Sequence, residues 1–377
     1  MNKRLFLVDL VLWMLSGIYA VIVRTRNWMF DSKILRSKSF NFPIISVGNL
    51  TVGGTGKTPH TEYIVSLLSQ SMKVATLSRG YKRKTSGFVL ADASATGATI
   101  GDESYQIKRK FPEVAVAVDG NRRRGISKLL ANKDLQPLSA IVLDDAFQHR
   151  YVTPGLNILI TDFNRLFTDD HILPYGRLRE PIHSKSRANI IIVSKCPETL
   201  HPMDFRVISK KINIFPYQSL YFTTYQYGEI YPLFNSLASS QPTTVTDIKT
   251  EKMHVLIVTG IVSPQGIYEH IEKFTPNYDK ITFSDHHNFT QKDYRSIERK
   301  FNETKNPKIL LVTEKDAARI VNDNNLPEEL KPSIYVLPIK VKFLSGQEPK
   351  FNQQLTTYVK ENSRNIRLSK KENQPSS

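Results

Sequence analysis

The sequence predicts an α/β protein: a doubly wound, mostly parallel sheet, a second and smaller α/β unit, and an apolar helix at the N-terminus. Three observations carry this prediction. Short apolar runs recur at residues 43–48, 74–78, 140–143, 156–161 and 189–194, alternating with segments of helical periodicity. Runs apolar on both faces suit strands buried between two helix layers. The same alternation resumes at 254–259, 280–283 and 308–313, after a stretch rich in Pro, Ser and Thr, which marks a second unit. The third observation is at the start of the chain, where residues 5–23 read LFLVDLVLWMLSGIYAVIV and hold a single charge, Asp9.

That apolar segment is long enough for about 28 Å of helix, close to the hydrocarbon thickness of a bilayer. A cleaved secretory signal fits poorly. The apolar run continues past Ala20, Ile18 stands where a small residue is needed, and Asp9 interrupts the core. A buried core helix fits poorly too, because the segment is apolar nearly all round. Within residues 1–40, Lys3, Arg4, Arg24, Arg26, Lys33, Arg36 and Lys38 face only Asp9 and Asp31. The basic excess follows the helix, which predicts an anionic membrane surface as partner and a body on the cytoplasmic side.

The whole chain carries 52 Lys and Arg against 35 Asp and Glu, a formal charge of +17. Such a balance suits anionic partners: membranes, phosphorylated substrates or nucleic acid. No helix-turn-helix signal or basic–aromatic interleaving supports nucleic acid, and no protein partner is predicted. With 40% hydrophobic and 23% charged residues, the chain is expected to fold rather than stay disordered. The lone cysteine, Cys196, excludes an internal disulfide and reads as a packing residue in a reducing compartment.

The chemistry concentrates after the first strand. Thr51, Val52, Gly53, Gly54, Thr55, Gly56, Lys57 and Thr58 lead from an apolar run into a helical segment with Tyr63, Ile64, Leu67 and Leu68 on one face. Strand, glycine loop, Gly-Lys-Thr and helix together make a P-loop. Glycines let backbone N–H groups converge on phosphate oxygens at the positive end of a helix. Lys57 is expected to reach the β- and γ-phosphates of ATP and Thr58 to ligate Mg²⁺. Thr51 stands where the general pattern has its first glycine. Pro59 falls in the first helical turn, where its missing N–H costs little.

The run 140–143 ends in Asp144 and Asp145. A buried strand carrying a carboxylate to the Mg²⁺ shell is the Walker B arrangement, so both aspartates are metal candidates. On a regular strand only one of them points at the ion. Gln148 and His149 follow closely. Near the strand 190–194, Lys195 invites comparison with the guanine-reading N/T-K-x-D motif, but Pro197 replaces its aspartate, which favours ATP over GTP.

These residues come in an order that resembles one family. Asn49-Leu-Thr-Val-Gly-Gly-Thr-Gly-Lys-Thr-Pro59 is followed by Ser78-Arg-Gly-Tyr81, Gly101-Asp102-Glu103 and Asp144-Asp-Ala-Phe-Gln-His149. Then come Leu173-Pro-Tyr-Gly-Arg-Leu-Arg179-Glu180, Asp285-His286 and Thr313-Glu-Lys-Asp-Ala317. The succession resembles the lipid A tetraacyldisaccharide 4′-kinases, whose loop also carries Thr at position 51. The resemblance implies transfer of the ATP γ-phosphate to the 4′-hydroxyl of an acylated disaccharide 1-phosphate lipid, at the cytoplasmic face of a bacterial inner membrane. It also implies that Asp102 and His286 are a catalytic pair. Ala146 departs from it, because the family usually has Gly there, which matters if that backbone needs positive φ. The segment Val258-Thr-Gly-Ile-Val-Ser-Pro264 fits only loosely.

A carboxylate such as Asp102 accepts the proton of a sugar hydroxyl late in a loose phosphoryl transfer, and His286 is expected to orient it or to share its proton as a coupled pair. Without the resemblance, Asp102 reads first as a helix cap and His286 as a surface-loop residue. Arg79, Arg122, Arg177 and Arg179 are candidates for the substrate phosphate or the transferring group, and Asp162, after the run 156–161, is a weaker candidate site residue. The expected organisation is a membrane-associating segment over 1–38, a core over 39–225, a linker over 226–252, a smaller α/β unit over 253–361 and a frayed polar tail over 362–377. The site is expected in the cleft between the two units, closing around substrate. A membrane-associated P-loop ATPase that moves or partitions cargo is the competing reading.

Overall fold

A computed structural model describes residues 3–234, 244–285 and 287–372. The larger sheet has nine strands. Its order is Ile339–Phe343, Ser219–Tyr227, Ile190–Ser194, Leu156–Asp162, Ile44–Asn49, Ala140–Asp144, Val74–Ser78, Ala115–Val118 and Val89–Leu90. Seven central strands run parallel, and an antiparallel strand closes each edge. The doubly wound class predicted from the apolar runs is the one observed, because strands such as Ile190–Ser194 are buried along their whole length. Ile44–Asn49 lies at the centre, between Leu156–Asp162 and Ala140–Asp144. The loop after it and the acidic end of Ala140–Asp144 therefore emerge side by side at one edge, where ligands of such sheets bind.

The smaller sheet has five strands, ordered Tyr231–Pro232, Ile334–Leu337, Lys308–Thr313, His254–Thr259 and Tyr278–Thr282. Two differences from the sequence reading concern how the units join. Tyr231–Pro232, inside the expected linker, pairs with Ile334–Leu337, and Val245–Thr250 is helical. Ile339–Phe343, expected in the smaller unit, pairs antiparallel with Ser219–Tyr227 of the larger sheet. The following helix, Glu348–Glu372, buries Phe351, Leu355 and Val359 against Ile64, Leu68, Tyr221 and Phe343 of the larger core. Apolar spacing alone does not say which sheet a strand joins. The chain thus leaves the larger sheet after Tyr227 and returns at Ile339, and the two crossings touch where Gly228 N–H donates to the Pro338 carbonyl at 2.9 Å. The expected polar tail is helical as far as Glu372, in keeping with its Glu, Lys, Arg and Leu content.

The N-terminal helix spans Lys3–Asp31. It is, among the described residues, one helix long and apolar enough to cross a membrane by length and composition. One face is docked. Ser16, Ala20, Val23 and Phe30 are buried, Tyr19 Oη donates to the Arg179 carbonyl at 3.2 Å, and Asn27 Nδ2 donates to Glu180 Oε2 at 3.0 Å. The other face leaves Val11, Met14, Ile18, Val21 and Ile22 exposed.

Candidate active site

The glycine loop is built by its neighbours. Thr51 bridges to Leu178, and Val52 N–H donates to the Arg177 carbonyl at 2.8 Å, so this end of the loop is pinned to the 177–179 segment. Asn49 Nδ2 donates to Thr55 Oγ1 at 2.8 Å, and Ser194 Oγ donates to the Thr55 carbonyl at 2.7 Å. Lys195 Nζ holds the Gly54 carbonyl and pairs with Asp162 at 2.7 Å. Lys195 and Asp162 are thus braces of the loop. Gly56 caps the helix Lys57–Ser69 at φ 89°, a conformation that disfavours a side chain, and a Cβ there would collide with Tyr225 Oη. Gly48, one residue before Asn49, is required by packing: a Cβ would meet Phe147 Cβ at 2.6 Å. From the smaller unit, Val262 stands 3.6 Å from where a Gly54 Cβ would be.

The two aspartates sit in opposite settings. Asp144 ends its strand fully buried, and Thr61 Oγ1 donates to its Oδ1 at 2.8 Å. Burial, with Glu103 and Asp145 nearby, pushes its carboxyl up to about 7. Asp145 leaves the strand at φ 46°, so the regular alternation of faces ends there. Lys57 Nζ lies 3.7 Å from its Oδ1 and Arg179 NH1 3.4 Å. Burial works upward on Asp145 too, yet Lys57, Arg179 and Arg122 hold its carboxyl below the usual carboxylate range. The positive φ falls on Asp145 rather than Ala146, so the methyl of Ala146 is accommodated.

The donor set fits magnesium held chiefly through nucleotide. Among the described residues no three His, Cys, Asp or Glu side chains form a ready metal cluster. Mg²⁺ keeps several waters and takes one or two carboxylates plus substrate phosphates. Thr58 at the head of the loop helix, with Asp144 and Asp145 beside it, offers that few-ligand set. The buried Asp144, crowded by two other carboxylates, is where a dication would relieve repulsion. Glu103 carries no sequence signal beyond its place beside Asp102.

A basic bay adjoins the aspartates. Arg122 is 2% exposed, and burial lowers its guanidinium to about 10, against the pull of Asp144 and Asp145. His149 is lowered to about 4 by burial and by Arg122, Arg26, Arg123 and Arg79. Its Nε2 and Arg122 Nε are buried without a hydrogen-bond partner. Arg79 and Arg177 are exposed. Cys196 is buried and its thiol is pushed up to about 12, as suits packing.

Asp102 is the first residue of the helix Asp102–Lys110, with Gly101 at φ 85° as its cap. Its Oδ2 accepts from Arg319 Nε of the smaller unit at 2.7 Å. His286 lies outside the described residues; its neighbour Asp285 pairs with Lys315 at 2.9 Å.

The Tetraacyldisaccharide-1-P 4′-kinase family description matches residues 8–360. The chain belongs to this family. A Tetraacyldisaccharide 4′-kinase of Bacteroides thetaiotaomicron is 48% identical over 377 residues, covering 99% of both chains. One from Bacteroides fragilis is 50% identical over 351 residues, 93% of each. The crystal structure of LpxK from Aquifex aeolicus in complex with ATP is 25% identical and superposes with a TM-score of 0.69, covering 93% of this chain and 99% of that one. Like its family, the chain is an ATP-dependent kinase that phosphorylates the 4′ position of a tetraacyldisaccharide 1-phosphate in lipid A biosynthesis. Family membership decides between the two readings left open by the sequence, in favour of the lipid kinase over the transport ATPase.

Proposed function

We propose that Asp102 is the base of this 4′-phosphorylation, with His286 as its partner. Supporting this is the position of Asp102 at the head of a helix whose next residue, Glu103, already acts on Asp144 electrostatically. The 4′-hydroxyl oxygen forms a bond to the γ-phosphorus, the bond from that phosphorus to the β,γ-bridging oxygen breaks, and the hydroxyl proton passes to an Asp102 carboxylate oxygen. Loop amides over 53–58 and Lys57 hold the triphosphate, while Arg179 keeps Asp145 in place. Thr58, Asp144 and Asp145 would hold Mg²⁺, which supplies neutralisation of developing phosphate charge. The basic bay of Arg122, Arg79 and His149 suits an anionic phosphate of the acceptor.

The membrane reading is equally specific. Protein covers one face of the N-terminal helix from Ser16 to Phe30, and apolar side chains line the other. A helix so placed enters one leaflet, on the cytoplasmic face, and presents the site to a lipid acceptor. The test of the base is Asp102→Asn with labelled ATP and detergent-dispersed lipid. Turnover is expected to fall about 10²–10⁴-fold with ATP affinity kept, the range for a positioned proton acceptor. Turnover close to that of the parent enzyme would remove Asp102 from this role.

A further inference from the structure

We infer that Arg319 is the positioning residue for Asp102, supplied by the smaller unit across the boundary between the two sheets. The inference rests on the reading of Asp102 as base.

Arg319 sits on the helix Glu314–Ile320, 217 positions from the residue it contacts. Its side chain is 6% exposed and held on two sides. NH1 donates to Asp316 Oδ1 at 3.0 Å and to the Gly260 carbonyl at 3.3 Å, while Nε donates to Asp102 Oδ2 at 2.7 Å. Asp316 is itself fixed, because its Oδ2 accepts from Gly260 N–H at 3.0 Å and Thr313 Oγ1 at 2.7 Å. The guanidinium is therefore clamped before it meets Asp102, and a planar donor with a set direction fixes the carboxylate it bonds.

The surroundings keep this contact in register. Lys110 pairs with Glu314 at 2.7 Å, and Asn322 Nδ2, just past the helix Glu314–Ile320, donates to Tyr105 Oη at 2.8 Å, so the helix Asp102–Lys110 is tied to the 314–322 segment at further points. Gly97 packs closely on the same carboxylate: a Cβ there would lie 3.1 Å from Asp102 Oδ1 and 3.7 Å from the Ala318 carbonyl. A cation beside a base reduces its basicity, but in a loose transition state the proton leaves late and alignment matters more than proton affinity. Misplacement by about 1 Å at such a site costs on the order of 10²-fold in rate.

A kinetic double-mutant cycle tests the inference. Arg319→Met is expected to lower kcat about tenfold or more, with the KM for ATP within about twofold of the parent. In an Asp102→Asn background the same change is expected to have no further effect on residual turnover, because the group it positions is gone. Arg319→Lys keeps the charge but not the forked donors, so its kcat is expected to fall between parent and Met. It also serves if the Met variant does not fold. Unchanged kcat in Arg319→Met, equal losses in both backgrounds, or a Lys variant no better than Met overturns the positioning role. If Asp102→Asn alone turns over normally, the base assignment falls instead, so the two failures are distinguishable.

Discussion

Asp144 and Asp145 are adjacent in sequence yet electrostatically opposite. One is buried with its carboxyl raised to about 7 and the other is held low by Lys57 and Arg179. Removing Lys57 takes away the counter-charge beside Asp145 and, on the proposed reading, a phosphate ligand. Lys57→Ala is expected to reduce transfer of labelled γ-phosphate to lipid by about 10³-fold or more, the scale for losing a preorganised charge at a transition state. Label transferred at a tenth of the parent rate would contradict it. The glycine loop and acidic pair were legible in the sequence because their chemistry is local: spacing alone brings Gly53 to Thr58 around one helix end. Arg319, Glu103 and Lys110 were not legible. Their partners lie far away in sequence or on another strand, and no periodicity signals a contact across 217 positions.

At the scale of elements, the N-terminal helix is divided lengthwise. Ser16, Tyr19, Ala20, Val23, Asn27 and Phe30 recur at helical spacing against the body, with Ile18, Val21 and Ile22 opposite. Each apolar side chain left in water contributes about 1.5–3 kcal/mol when buried in lipid. Replacing Ile18, Val21 and Ile22 with Ser is expected to weaken binding to anionic vesicles by more than about tenfold, read by cosedimentation. Turnover on detergent-dispersed substrate should stay within about twofold. Vesicle binding at the parent level would show that this face is not the membrane contact. The helix itself was visible from composition. Its docked face was not, because an all-round apolar pattern carries no moment to say which side meets protein.

For the molecule as a whole, the joint between the units contains a buried ionic trio: Lys110 lies 2.7 Å from both Glu62 and Glu314. Burial raises Glu62 to about 7, Lys110 opposes that rise and Glu314 adds to it. A folded-state value above the ordinary 4.5 means that the folded chain holds this proton more tightly than the unfolded one. The stability gained is therefore complete below the unfolded value and disappears as pH climbs through about 7. Lys110→Met strands two carboxylates, so a loss of about 3–5 kcal/mol is expected at pH 8, shrinking near pH 5 where Glu62 is protonated. Urea unfolding at the two pH values checks this, and equal losses at both would refute it. The repeated strand runs announced two sheets. Which strand belonged to which was hidden, since Ile339–Phe343 carries no mark of its return to the larger one. That return makes the smaller body an inserted loop on two adjacent struts, the chain's outward and homeward passes. Such a mounting tolerates rocking but resists spinning, and a protease that severs either strut alone leaves the halves held by the other.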